Sequence, residues 1–325
     1  MTHTIPIVSK NPFEKCRSMS EITVMYNSDC NLHCGFCINK CNNVNTHQHL
    51  TKQLIQARQE QIENVINLCN YPNISLTILG GELFQDKYSN DVIDHLTQSL
   101  THLQHYAIQQ GKKITYTVMT NIITKHIDRI INLVKAINGS CHPSYDFVGR
   151  FENPKLIDLW FKNYNMLISS QIDNHIVING HRANIEFVLN DDIQWKKIYN
   201  IGPTYFTNFE NVGDPLYDVN DVDVISLYKH LSLHYPLVDN IIKIKESLHS
   251  KMGSNCLNAI SIDNTIHYSC CDKSSVIKKY LFNKKCFQCD FLDNCILECP
   301  RLYNNYSSCF LKEAYTILSK HHGIN

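Results

Sequence analysis

No stretch of the 325-residue chain is apolar for long enough to cross a bilayer, and residues 1–10 lack the apolar core of a secretion signal. No membrane is therefore expected as a partner, and the chain is expected in the cytoplasm. An excess of charge is missing too, since 30 Lys and Arg stand against 30 Asp and Glu. Without a basic surplus, nothing draws the protein to nucleic acid or to an anionic surface. Internal repeats and low-complexity tracts are also absent. What remains is a globular composition, 43% apolar and 18% charged, long enough for one large domain and a smaller one.

Against these absences stand fifteen cysteines. In a reducing compartment disulfides do not persist, and clustered thiols more often hold metals or do chemistry. Cys16, Cys69 and Cys141 stand alone and read as small buried hydrophobes. Most of the others fall into two groups, one near each end.

Between the groups, short apolar runs alternate with segments of helical period. Strands are expected at 22–26, 76–79, 114–119, more weakly at 141–147, and at 185–189 and 205–206. Thr51 is placed to N-cap a helix carrying Ile55, Ile62, Val65 and Ile66 on one face. Later helices carry Leu96, Leu100 and Leu103, then Ile130, Ile131 and Val134, then Leu156, Trp160, Tyr164 and Leu167. Strands alternating with helices make parallel βα units, whose ligands bind at the carboxyl ends of the strands. The pattern divides the chain into an N-terminal extension (1–20), a βα domain (21–235), a linker (236–252) and a cysteine-dense region (253–325).

The first group reads Cys30-Asn31-Leu32-His33-Cys34-Gly35-Phe36-Cys37, directly after the first expected strand. Three thiolates on one tight loop hold three irons of a cubane 4Fe–4S cluster and leave the fourth iron open to another ligand. Cys41 does not fit this spacing and reads as a spare thiol. The spacing, with an aromatic residue before the last cysteine, resembles the motif of the radical S-adenosylmethionine (SAM) superfamily. That resemblance implies an open iron that chelates the amino and carboxylate groups of SAM. It also implies reductive cleavage of the sulfonium to a 5′-deoxyadenosyl radical, which abstracts a hydrogen atom from substrate.

Further segments fit the resemblance. Gly80-Gly81-Glu82 follows the second strand, like the family's Gly-Gly-Glu-Pro, with Leu83 in place of proline. Thr120-Asn121 resembles Thr-Asn-Gly, with Ile122 replacing glycine, and Ser144-Tyr145-Asp146 resembles Ser-Leu-Asp. By resemblance, Gly80, Gly81, Glu82, Asn121 and Ser144 are expected around SAM. Arg150 is expected to pair with its carboxylate, and Asn190, closing the 185–189 strand, to reach the ribose. For each of these a turn or capping role is the competing reading.

The second group contains Cys256, Cys270-Cys271, then Cys286-x2-Cys289-x5-Cys295-x3-Cys299, and Cys309. These spacings resemble the SPASM extension, which holds two auxiliary 4Fe–4S clusters. In place of the usual Gly-Gly before its fourth core cysteine stands Leu297-Glu298. The resemblance implies Cys286, Cys289, Cys295 and Cys309 on the distal cluster, and Cys256, Cys270 and Cys299 on the nearer one. Cys271 is either the fourth ligand there or the partner in place of Cys270. Asp272 is the candidate base that takes a proton from a substrate radical. A zinc-stabilised binding module is the alternative. Spacings of five and three are unusual for zinc ribbons, and zinc leaves the N-terminal triplet unexplained.

The expected fold is thus α/β, a partial (β/α)6 barrel followed by a small cysteine-rich domain, with three 4Fe–4S clusters in all. The expected enzyme is an oxidoreductase or maturase fed by a flavodoxin or ferredoxin. Its expected substrate is a ribosomal peptide or protein, crosslinked, dehydrogenated or epimerised. A sugar or amino-acid-derived small molecule is the alternative substrate. About twenty residues precede the first strand, too few for the leader-recognition domain of many peptide modifiers. A separate leader-peptide-binding protein is therefore the expected partner for a peptide substrate.

Overall fold

In the computed structural model, six parallel strands follow one another with helices between them; it describes residues 19–37, 48–69, 71–151, 153–207, 212–250, 259–262, 266–268 and 315–320. The strands are β1 (Met19–Met25), β2 (Asn73–Leu79), β3 (Lys113–Thr120), β4 (Ser140–Pro143), β5 (Ile176–Asn179) and β6 (Thr204–Thr207). Helices α1 (Lys52–Leu68), α2 (Asn90–Gln109), α3 (Ile127–Ala136) and α4 (Pro154–Ser169) each carry the chain to the next strand. The fifth crossover holds α5 (Arg182–Leu189) and α6 (Ile193–Ile201), and β6 is followed by α7 (Asp221–His234) and α8 (Asp239–Ser250).

One sheet has the order β4-β3-β2-β1 and continues past β1 to β7 (Ala259–Ile262) and β8 (Ile266–Tyr268). β7 runs parallel to β1, and β8 antiparallel to β7. β5 and β6 form a second parallel pair, joined to β4 by the bridges Cys141–Asn174 and Ser144–Val177. The strands therefore curve into the partial barrel that the βα alternation predicts.

Period-two alternation sorts the strand residues between two environments. Ile22, Val24, Ile74, Leu76, Ile78, Ile114, Tyr116 and Val118 point outward and are buried beneath the helices. Those helices present Ile55, Ile62, Leu96, Leu100, Leu103, Ile130 and Val134, all buried. Burying one such side chain contributes roughly 1.5–3 kcal/mol, so the outer layer of the barrel supplies most of its stability. Thr51 caps α1 as expected, its hydroxyl accepting from the Leu54 amide at 3.1 Å.

Two local expectations change. The strand expected at 185–189 is helix α5, because its buried residues Ala183, Asn184, Ile185 and Val188 lie on one helical stripe. His181 caps that helix by accepting from the Asn184 amide, which overrides the β-propensity of the run. The strand itself lies earlier, at Ile176–Asn179, where all four residues are buried. Residues 239–250, within the segment read as a linker, form α8, with Ile241 and Ile244 fully buried.

Candidate active site at the mouth of the barrel

Every strand of the barrel ends at the same face, and the loops leaving those ends enclose a cavity of about 410 Å³. Cys30, Cys34 and Cys37 line it from the loop after β1, Gly80 and Gly81 from the turn after β2, and Asn121 from the end of β3. Ser144 and Arg150 enter after β4, Asn179 and His181 at the end of β5, and Thr207 at the end of β6.

The cysteine loop is held by its neighbours' backbones. Gly81 N–H donates to Asn27 O and Glu82 N–H to Asp29 O, each at 2.9 Å. A Cβ on Gly80 would lie 1.9 Å from Asn27 Oδ1, and one on Gly81 2.2 Å from Asp29 O. Both glycines are thus required by the close approach of the two loops. Asn31 ties the loop to the third strand: its amide donates to Ile123 O at 2.7 Å, and its oxygen accepts from Asn121 Nδ2 at 2.8 Å. Beneath, buried Asp29 accepts from Tyr88 at 3.0 Å and meets His49 and Lys87.

Glu82 is 3% exposed and does not line the cavity. Its carboxylate accepts from Thr120 Oγ1 (2.8 Å), the Asn121 amide (2.7 Å) and the Phe84 amide (3.0 Å). Burial raises its pKa, while these donors pull it back down. Glu82 clamps the end of β3 to the Gly-Gly turn. Ile122, where the motif carries glycine, keeps a left-handed backbone (φ 52°), a strained state for a β-branched side chain.

Arg150 reaches the cavity through a buried polar hub. Its Nε donates to Asp146 Oδ2 at 2.5 Å, and its guanidinium lies 5.4 Å from the centre of the Phe36 ring. Asp146 also accepts from the Asn179 amide (2.9 Å) and Asn184 Nδ2 (2.6 Å). Burial opposes the charge on Arg150, and the Asp146 carboxylate with the Cys34 sulfur more than offsets this, so its pKa lies above the ordinary value. Phe36 packs on His181 with ring centres 4.6 Å apart, and Tyr217 closes edge-on over both.

The residues fit a 4Fe–4S cluster with SAM. Three thiols share one cavity wall, yet among the described residues no group of three or more Cys, His, Asp or Glu closes on a single metal ion. A cubane takes each cysteine on a different iron, and three thiols on one short loop are the donor set it needs. Burial pushes the Cys30 thiol up to about 12 and raises Cys34 as well. Metal ligation is what would draw such thiols into the thiolate form. His181 Nδ1 accepts from the Asn184 amide, which puts its proton on Nε2, and that buried nitrogen lies 4.0 Å from Asp146 Oδ1.

Residues 18–142 match a family described as a 4Fe-4S single cluster domain. The solved structure of anSMEcpe with bound AdoMet is similar over 93% of this chain and 96% of its own, with a TM-score of 0.66 and 13% identity. The chain shares the fold of that structure. Native anSMEcpe with bound AdoMet and Kp18Cys peptide is similar over 94% of this chain and 97% of its own (TM-score 0.66, 14% identity). Streptococcus suis SuiB bound to precursor peptide SuiA is similar over 94% and 82% (TM-score 0.51, 16% identity). No curated protein sequence matches.

Within this fold, Gly80, Gly81, Asn121, Ser144 and Arg150 line the same cavity as the three cysteines. Asn190 does not: it ends α5 as the C-cap and is not a cavity residue. Asn179 occupies the strand end assigned to it. Its signal was the four-residue run Ile176-Val177-Ile178-Asn179, apolar and closed by a polar residue like the other strands. His181 had no sequence signal beyond its place before a helix. The second group, Cys256, Cys270, Cys271, Cys286, Cys289, Cys295, Cys299 and Cys309, lies outside the described residues, as does Asp272. Among the described residues, no helix is long and apolar enough to cross a membrane.

Proposed function

We propose that this protein reductively cleaves SAM and uses the resulting radical to modify a peptide or protein. The observation that carries the reading is the convergence of Cys30, Cys34, Cys37, the Gly80-Gly81 turn and Arg150 on one cavity. With a 4Fe–4S cluster held by those cysteines, bound SAM supplies a 5′-deoxyadenosyl radical that takes a hydrogen atom from substrate.

The chain's own residues bind and orient. Arg150, fixed by Asp146, offers a directional cation to a carboxylate beside the cysteines. Gly80 and Gly81 expose backbone to an amino group, and Ser144 and Asn179 present hydrogen bonds to ribose hydroxyls. His181 Nε2–H gives a neutral donor, since burial lowers its pKa to about 4. Tyr217 and Phe36 keep water from that side. A peptide substrate draws support from the peptides bound to anSMEcpe and SuiB. Auxiliary clusters on the second cysteine group would accept the substrate's electron during an oxidative outcome.

The test is anaerobic reconstitution, reduction and quantification of 5′-deoxyadenosine, followed by mass spectrometry of peptides encoded beside the gene. Wild type should form 5′-deoxyadenosine, and Cys30→Ala, Cys34→Ala or Cys37→Ala should form none. A colourless zinc protein, or full turnover in the triple variant, overturns the reading. Mass change on a small metabolite and on no peptide would overturn its peptide arm.

A further inference from the structure

One phenol from the loop between β6 and α7 is wedged between the cysteine loop and the turn that carries Arg150. Tyr217 is buried, and three of the residues it touches are chain neighbours of residues the site uses. A Cβ on Gly35, next to Cys34, would lie 2.8 Å from Cε2 of its ring. A Cβ on Gly149, next to Arg150, would lie 2.6 Å from its hydroxyl. The ring also meets Phe36, next to Cys37, edge-on at 5.7 Å. The Arg150 guanidinium lies 5.4 Å from the centre of that same Phe36 ring. Contacts this close leave no room for either backbone to drift towards the phenol.

The segment carrying Tyr217 is itself tied down. Asp218 Oδ1 accepts from the Val212 amide at 2.7 Å and the Gly213 amide at 3.0 Å, and Tyr217 N–H donates to Asp214 O at 2.9 Å. Tyr217 O accepts from the Arg182 amide at 3.1 Å, which fixes the segment to the start of α5. Arg182 reaches back with its side chain, donating to Pro215 O and to Asp223 Oδ2, each at 3.2 Å. His181, which caps α5, meets the Tyr217 ring edge-on at 5.1 Å. A side chain restrained on so many sides has already lost its rotamer freedom, so it holds its neighbours without a further entropic cost.

We infer that Tyr217 is a positioning residue that sets the spacing between the cysteine loop and Arg150, the two groups that SAM has to reach at once. Packed on Gly35, Phe36 and Gly149, it fixes the sulfurs and the guanidinium relative to each other before a ligand arrives. Such preorganisation raises affinity without adding a contact to the ligand. This rests on the reading above that the cavity holds SAM beside a cluster on the cysteine loop. Removing the ring frees the two segments to move, whereas a methyl added at Gly35 pushes against the ring. Both changes act through one contact, so their effects should not add.

The test compares Tyr217→Leu, Gly35→Ala and the double variant. SAM affinity and iron content are measured on the unreduced, cluster-loaded protein, and alkylation of Cys34 by N-ethylmaleimide is mapped by mass spectrometry on the cluster-free protein. Tyr217→Leu should bind SAM on the order of fivefold more weakly while keeping wild-type iron, and Gly35→Ala should lose about as much. The double variant should be no weaker than Tyr217→Leu alone, against about 25-fold for two independent losses. Cys34, 8% exposed in the fold, should react on the order of fivefold faster in Tyr217→Leu. That readout needs neither cluster nor SAM, so it reports on the wedge alone. A wild type that binds no SAM would instead remove the reading beneath it. Where melting curves show that Tyr217→Leu does not fold, Tyr217→Phe takes its place in the same comparison, since it deletes the hydroxyl that faces Gly35 and Gly149. Wild-type SAM affinity or wild-type Cys34 reactivity in the folded Tyr217 variant, or losses that multiply in the double, overturns the proposal.

Discussion

At the scale of single residues, the site depends on a few buried polar atoms with no slack in their partners. Asp146 serves Arg150, Asn179 and Asn184 at once. Asp146→Asn keeps the shape but removes the charge opposite Arg150. SAM affinity, measured by calorimetry on the unreduced cluster-loaded protein, should fall on the order of tenfold, and the melting temperature should fall with it because Arg150 loses its buried counter-charge. His142 sets a pH dependence of known sign. Its pKa is about 4 in the fold against 6.5 in the open chain. As pH falls from 6.5 to 4 the unfolded chain takes up a proton the fold refuses, so stability drops through that window. His175 acts oppositely: its bond to Asp239 raises its pKa, so its contribution is full below 6.5 and fades as pH rises through the folded value. In His142→Asn the stability lost between pH 6.5 and 4.5, read by denaturant titration, should shrink by roughly 1–2 kcal/mol.

At the scale of elements, the loops at the strand ends are as constrained as the strands. Gly81→Ala forces a Cβ to within 2.2 Å of Asp29 O, so the turn or the cysteine loop must shift. Destabilisation above about 2 kcal/mol and a fall in iron retained after gel filtration should follow together. Thr51→Ala removes only a cap on α1, far from the cavity, and should cost about 1 kcal/mol, or roughly 2–4 °C of melting temperature. Its iron content should match wild type. The pair of variants separates damage to the site from damage to the scaffold.

At the scale of the whole molecule, the two cysteine groups predict metal content. Anaerobically reconstituted protein should hold about twelve irons, three clusters of four. Cys286→Ala or Cys309→Ala should lose about four while still forming 5′-deoxyadenosine, whereas Cys34→Ala should lose about four and form none. A content near four in wild type would leave the N-terminal cluster alone and remove the SPASM assignment.

How much of this was legible beforehand differs by feature. Cys30, Cys34 and Cys37 declare themselves because three ligands on one short loop need no tertiary partner to be recognised. The strands ending at Met25, Leu79 and Thr120 announce themselves by period-two alternation beside helices of period 3.6. The run after α4 misleads because four apolar residues are too few to show a period. The β-branched residues of α5 then look like the strand, and only packing against the barrel decides between them. Asn179 could not be separated from Asn190 without that decision. His142 and Tyr205 come from strands far apart in the chain, and only the closing of the sheet brings their side chains to 2.9 Å. The sequence by itself therefore determined the cysteine loop and the βα order, since both are written in local spacing. The tertiary structure alone decided which polar residues share the cavity, because sheet register and barrel closure are long-range and leave no local mark.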